Sequence, residues 1–557
     1  MKFDLESIRE HILGRELLIP TPFGDRHMLY ADFTASGRGL RFIENIMLEL
    51  QKSYANTHTE DDYTGKFTTR LLHRAEEKIK QMVNAGPDGK IISIGSGTTG
   101  ALKKLQEIIG VSMPPVTRER YSEAIRKAAE NPSEVFEELE RRKPVVFIGP
   151  YEHHTNELMW REAFAEVIVV GFNPRGLLDL EDLETKLASP DLAKRSKIVS
   201  ISAGSNITGI RTPVYDVARI GHAHDALVFF DFAAVAPYIE IDMNRDTDSY
   251  FDAVFFSPHK FLGGPGSSGI LVFNRRIYRQ DLPPTTAGGG TVVFVGFEQH
   301  DFAEDIEARE KAGTPPILQT IKASLAMEVK NRIGVDRIEE IEAEYTSYFH
   351  DRLLDMENIE PIGNADPKDC LSIVSFNIKH RDRILHPKFV TKLINDLFGI
   401  QSRAGCSCAG PYGHALLGID TQASQRIRES VYKGYGGLKP GWVRVNLHYT
   451  LTQDDIEFLL DAIDFVARNG HLFLPLYAFN LETSEWSHRE FPDGERELDL
   501  EQDFSGRSVD LSRVPELRKS YLVMAKHLAE ILSAKAGSPF KEDPSDIEDL
   551  KYFYYVD

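Results

Sequence analysis

Cysteine is scarce: the 557 residues contain three, Cys370, Cys406 and Cys408. Three thiols cannot build a disulfide framework, and so low a count fits a reducing compartment. Long apolar runs are lacking too, and none is long enough to span a bilayer. Residues 1–16 mix charges with apolar side chains at helical spacing, without the apolar centre of a signal peptide. Positive charge is in deficit, with 65 Lys and Arg against 85 Asp and Glu and a formal net charge of -20. That balance argues against a nucleic-acid or anionic-membrane partner, but leaves room for a local basic pocket holding a phosphate or carboxylate. A soluble cytoplasmic protein is expected. Two nucleotide-binding patterns are also missing: Gly-Lys-Ser/Thr after a glycine-rich turn, and Gly-x-Gly-x-x-Gly.

What is present is ordinary in bulk, with 42% hydrophobic and 27% charged residues. The length exceeds what one core supports, so at least two domains are expected. Apolar runs at 144–148, 166–170, 198–202, 226–230, 251–256 and 269–273 read as strands. Helix patterns separate them through most of this region, and a mostly parallel sheet follows. Residues 5–16 read as a short helix followed by an arm carrying Pro20 and Pro22. Residues 111–143, rich in Glu, Arg and Lys, read as a solvated helical insertion. From about 330 to 470 the pattern suggests a smaller α+β unit. Residues 471–557 carry many acidic residues and one amphipathic helix pattern at about 514–535, and are expected to pack rather than trail.

Several chemical signals lie at strand ends, where open α/β sheets place ligands. Lys260 stands between the run Phe251 to Phe256 and a Gly/Pro-rich turn. Burial lowers the pKa of an amine, and a neutral amine forms a Schiff base with an aldehyde. Gly97-Thr98-Thr99 joins a strand to a helix start, where free N–H groups and hydroxyls either cap the helix or hold a phosphate. Glu152-His153-His154 follows another strand, and a histidine there could stack on a ring or move protons. Asp231 interrupts an apolar run and needs a cationic or donor partner, either a buried ion pair, a helix cap or a cofactor's ring nitrogen. His58 lies in a polar connection, as a loop histidine or a substrate contact. Cys406 and Cys408 share a glycine-rich loop, either as small apolar residues or as a thiol able to swing.

The order of these features resembles the class V, fold-type I family of pyridoxal-phosphate enzymes, nearest to the cysteine desulfurases and selenocysteine lyases. The resemblance covers about residues 25–465. It rests on Gly97-Thr98-Thr99, Glu152-His153-His154, Ser205-Asn206, Asp231, Ser257-x-His259-Lys260, Gly288-Gly289-Gly290, Ala312-Gly313-Thr314-Pro315, Arg403-x-Gly405-x-x-Cys408 and Arg444. It implies a large domain (27–290) around a mostly parallel seven-stranded sheet, a small domain (1–26 and 291–470) and the extension 471–557. It also implies pyridoxal 5'-phosphate bound to Lys260, with Asp231 on its ring nitrogen, His153 stacked on the ring and Asn206 on its phenolic oxygen. Gly97, Thr98, Thr99, Ser257 and His259 would hold the phosphate, and Thr314 would come from the other subunit of a homodimer. Arg444 would clamp the substrate carboxylate, with Arg403, Asn206 and His58 as further substrate contacts. Cys408 would be the reactive thiol. The implied reaction moves sulfur from L-cysteine to that thiol and on to an acceptor protein.

Two departures stand out. Many desulfurases place a glutamine three residues after the ring-nitrogen aspartate, and Ala234 occupies that position here. Lys311 stands where a glutamate is common. The missing glutamine leaves room for an aminotransferase, an epimerase or a carbon–sulfur lyase on the same scaffold. The Gly-Cys-x-Cys pattern is similar to molybdenum-cofactor sulfurases as well.

Overall fold

A computed structural model describes residues 3–57, 59, 61–95, 97–363, 365–491, 499–500, 505–535 and 540–556. The chain divides into two compact units: residues 36–205 with 210–337, and residues 1–35 with 206–209 and 338–557. The boundaries at 35/36 and 337/338 lie beyond the expected 26/27 and 290/291. Residues 291–337 join the first of these units because helix Ile317–Ile333 packs on helix Tyr63–Met82, tied by a 2.7 Å Lys78–Glu328 ion pair.

That unit is built on seven strands: β1 (Gly89–Ile94), β2 (Val145–Ile148), β3 (Glu166–Val169), β4 (Lys197–Ser202), β5 (Ala226–Asp231), β6 (Ala253–Phe256) and β7 (Gly269–Asn274). Their order across the sheet is β1-β7-β6-β5-β4-β2-β3. Strands β2 to β6 pair in parallel, and β7 runs antiparallel to both β1 and β6. Every residue of β2 and β6 is buried, as expected of parallel strands covered on both faces by helices. One face packs Leu102, Leu105, Trp160, Phe229, Phe255 and Leu271 into a single cluster. Each such side chain contributes roughly 1.5–3 kcal/mol by leaving water. From β2 the chain goes to the edge strand β3 and returns on the other side as β4. The winding therefore reverses between β2 and β4, and a ligand crevice is expected outside the strand ends there.

The insertion is helical, as expected: α2 (Pro115–Ala128) and α3 (Pro132–Arg142) follow α1 (Gly97–Ile108) and bury none of their residues. A glycine turn leads into a hairpin, β8 (Val292–Val295) with β9 (His300–Phe302). The hairpin's apolar side chains face outward: Val293 is 72%, Val295 64% and Phe297 fully exposed.

The second unit carries an antiparallel sheet, in the order β10 (Ile359–Pro361), β11 (Ile373–His380), β13 (Trp442–Asn446) and β12 (Arg403–Gly405). Helix Pro387–Phe398 packs on it, and helix Gln453–Asn469, which starts at a Thr452/Asp455 capping box, packs on that helix. The extension belongs to this unit. Its hairpin (Tyr477–Asn480 with Glu485–His488), helix Val514–Ser533 and tail pack on the body, as expected. In the tail, Lys551 is buried in ion pairs with Asp543 (3.0 Å) and Glu548 (2.6 Å). Tyr552 Oη donates to Lys439 O at 2.6 Å.

One sequence expectation fails. The helix read over 5–16 stops at Glu10, and Leu17–Thr21 is a strand of a hairpin with Gly24–His27. His11 caps the helix, and Gly14, at φ +77°, lies in the turn that leads into the strand. Leu17 and Leu18 then pair with Ser508 and Arg507. Pro20 lies past that pairing, where a missing N–H is tolerated.

Candidate active site

One group of candidate residues lies in the unit built on the seven-stranded sheet. The start of α1 meets the turn after β6: Thr98 N–H donates to Ser257 Oγ at 2.9 Å, and Thr98 Oγ1 lies 2.6 Å from the same oxygen. Thr99 Oγ1 lies 2.9 Å from Thr155 Oγ1, which joins α1 to the start of α4 (His154–Arg161). Two helix starts and four hydroxyls thus converge, a donor set suited to a phosphate. The approach is close. A Cβ on Gly269 would sit 2.2 Å from Gly97 O, and one on Gly97, at φ +61°, would sit 3.0 Å from Ser257 Oγ. His259 Nδ1 lies 3.2 Å from Ser36 Oγ. Burial, then the neighbouring Lys260 charge, push the His259 pKa down to about 4, so its ring is neutral.

Asp231 ends β5 and is buried. Its Oδ1 accepts from Ala233 N–H at 2.8 Å. Burial pushes its pKa up to about 6, against the lowering by that hydrogen bond and by the Lys260 charge. A carboxyl so placed gains from a second cation in front of it, and a protonated ring nitrogen is one. Lys260, in the turn after β6, is half-buried.

At the reversal between β2 and β4, Glu152 binds both strand ends. Its Oε1 accepts from Gly149 N–H (3.0 Å) and Ser202 N–H (2.9 Å), and its Oε2 from Asn156 Nδ2 (2.7 Å) and Ser202 Oγ (2.5 Å). Burial nevertheless pushes its pKa up to about 7, helped by the nearby Asp231 charge. His153 caps α4, its Nδ1 accepting from Thr155 N–H at 3.1 Å, which leaves the proton on Nε2.

Thr314 is exposed and accepts from Asn56 Nδ2 at 3.2 Å. Its loop is fixed from below: Gly313 N–H donates to Gly289 O at 2.8 Å, and Lys311 pairs with buried Glu76 at 2.7 Å.

Another group lies in the other unit. Arg444, on β13, is buried. Its Nη2 donates to Asp32 Oδ1 and its Nη1 to Asn206 O, each at 2.9 Å. Arg403 Nη1 lies 3.8 Å from Asp32 Oδ2. Asn206 Nδ2 donates to Ser407 O at 2.7 Å, so one asparagine ties the buried guanidinium to the cysteine loop. The thiols of Cys406 and Cys408 are free and exposed. Ser407 (φ +50°) and Cys408 (φ +57°) sit in the left-handed region, which non-glycine residues seldom adopt.

The structure brings Thr98, Thr99 and Ser257 together in one group and Arg444, Arg403 and Asn206 together in the other. His58 lies outside the described residues. Asp32, Ser36 and the anchoring role of Glu152 were missed. A carboxylate directly after a strand was a usable signal for Asp32.

The fold and the strand-end residues define a doubly wound α/β protein with a ligand site at the reversal of its sheet. Residues 122–459 match the model of the aminotransferase class-V family, and the chain belongs to that family. Among curated proteins it is similar to a probable cysteine desulfurase of Halalkalibacterium halodurans, at 28% identity over 73% of this chain and 89% of that one. A probable cysteine desulfurase of Streptomyces coelicolor is 27% identical over the same shares. Among solved structures, the apo cysteine desulfurase of Thermococcus onnurineus covers 83% of this chain and 98% of its own, with TM-score 0.63 and 23% identity. The cysteine desulfurase CsdA of Escherichia coli gives TM-score 0.62 at 20% identity, over 83% of this chain and 98% of its own. These structures share the fold, and the fold-type I expectation is borne out.

Proposed function

We propose that the chain is a pyridoxal-phosphate enzyme that moves sulfur from L-cysteine onto Cys408 and releases L-alanine. The observation that carries this reading is the placement of Asp231 and Lys260 at the ends of adjacent strands β5 and β6, where the Lys260 charge acts on the buried carboxyl. Thr98, Thr99, Ser257 and the start of α1 fit the cofactor's phosphate, Asp231 its ring nitrogen, and Lys260 its aldehyde. When bound, the cofactor supplies an electron sink. His153 presents its ring for stacking.

Lys260 Nζ takes the proton from the substrate's Cα. Arg444, oriented by Asp32 and Asn206, binds the α-carboxylate. The Cys408 thiolate attacks the substrate sulfur: an S–S bond forms, the substrate C–S bond breaks, Cβ takes up a proton, and return of a proton from Lys260 to Cα completes alanine. The persulfide then passes its outer sulfur to an acceptor protein, in the cytoplasm. The left-handed backbone at Ser407 and Cys408 supports a loop that leaves this conformation readily.

A homodimer belongs to the same reading. The outward apolar tip of the β8–β9 hairpin and the exposed Thr314 suit burial against a second copy.

The test is incubation with L-cysteine and a reductant, with assay of sulfide and alanine, and a second incubation without reductant for a mass measurement on the Cys408 peptide. Equal sulfide and alanine, with one added sulfur on Cys408, is expected. A keto acid or racemised cysteine without sulfide would instead favour a different class V reaction. That second reading rests on Ala234, which is buried and offers no side-chain hydrogen bond.

A further inference from the structure

The cysteine loop borders a cavity. It measures about 330 Å³ and is lined by Cys406 and Cys408, by Lys388 and Lys439, and on the extension's side by Glu482 and Tyr552. Along Lys388, Thr483 and Ser484 it runs into a second cavity of about 520 Å³, where Lys392 and Glu485 stand. Counting Arg403, four cations face two carboxylates, in a chain whose formal net charge is -20. The existing pairings are loose, with Arg403 3.8 Å from Asp32 and Lys392 3.9 Å from Asp396. Partial desolvation of Lys388, which still reaches solvent, and then the Lys439 charge lower its pKa, with Glu485 opposing. Two lysines that repel one another across a concave wall are relieved by an anion between them. A compact ammonium suits phosphate as a point charge. The volume suits a small molecule.

We infer that this groove binds a small molecule bearing a phosphate group, gripped by Lys388 and Lys439 with its other end at Cys406 and Cys408. The inference leans on the proposed sulfur transfer only for the purpose of the two thiols, since binding stands or falls without it.

The test uses the holoenzyme, so that the cofactor's own phosphate cradle is filled, with inorganic pyrophosphate as the probe. Affinity is measured by calorimetry. Iodoacetamide labelling of each cysteine is followed by peptide mass spectrometry. Pyrophosphate is expected to bind, and to slow labelling of Cys406 and Cys408 by about threefold or more while leaving Cys370 unchanged. The K388Q/K439Q double variant should weaken binding at least about tenfold, and K388R/K439R should retain it, since both side chains are exposed and the fold does not depend on them. No binding, binding unchanged in K388Q/K439Q, or binding without protection of the two loop thiols would each overturn the inference. Failure of the sulfur-transfer reading looks different: no sulfide from L-cysteine, with pyrophosphate binding intact.

Discussion

Lys260 and Cys408 are the two groups on which the proposed reaction turns, and the protein treats them in opposite ways. Lys260 follows a fully buried strand of a seven-stranded sheet, next to a buried carboxyl whose charge it feels. Cys408 rides an exposed loop, in a left-handed conformation, one residue from a carbonyl gripped by Asn206. The difference follows from the tasks. Moving a proton at a fixed carbon needs a group fixed to fractions of an ångström. Carrying a sulfur atom away needs a group that leaves.

The comparison breaks most sharply at Lys260. Lys260→Ala should reduce alanine formation by at least about 10²–10⁴-fold, since the proton at Cα loses its acceptor. Wild-type turnover in that variant would remove the fixed half of the mechanism. Next come the thiols. Cys408→Ala should cut sulfide release by about 100-fold or more, and Cys406→Ala by no more than about threefold. The reverse ranking, read by sulfide assay, would move the reactive thiol to Cys406.

The buried half also has a pH signature. The Glu152 pKa lies at about 7, above its ordinary 4.5. The unfolded chain therefore ionises first as pH rises, and Glu152's contribution to stability is complete below about pH 4.5 and declines up to about pH 7. The stability advantage of wild type over Glu152→Gln, measured by urea unfolding, should shrink by about 2–3 kcal/mol across that window. A difference that stays flat or grows would mean that the carboxyl is ionised throughout. The smallest effect is expected at the exposed cysteine loop. Asn206→Ala deletes the hydrogen bond to Ser407 O and should cost about 1 kcal/mol, near a fivefold loss of kcat/KM. Faster iodoacetamide labelling of Cys408 should accompany it.

How legible these halves were from the sequence follows the same divide. Strands β2 and β6 are short, continuous apolar runs, a local pattern, and the chemistry at their ends sits a few residues away. Lys260, Asp231 and Thr98 were therefore within reach. The second half depends on contacts that no local pattern encodes. Asn206 was read as a cofactor ligand, yet its side chain goes to a carbonyl 201 residues later. Asp32 meets Arg444 across 412 residues. The N-terminal strand was missed for the same reason: it pairs with residues 507 and 508, while the apolar spacing before Gly14 mimics a longer helix.

The groove beside the thiols is walled in part by residues 482–484 and 552, all downstream of the stretch 122–459 that matches the family. Substitutions there would touch neither the sheet nor the lysine. Descendants of this chain could thus change which molecule is admitted to the thiols while leaving the bond-breaking apparatus as inherited.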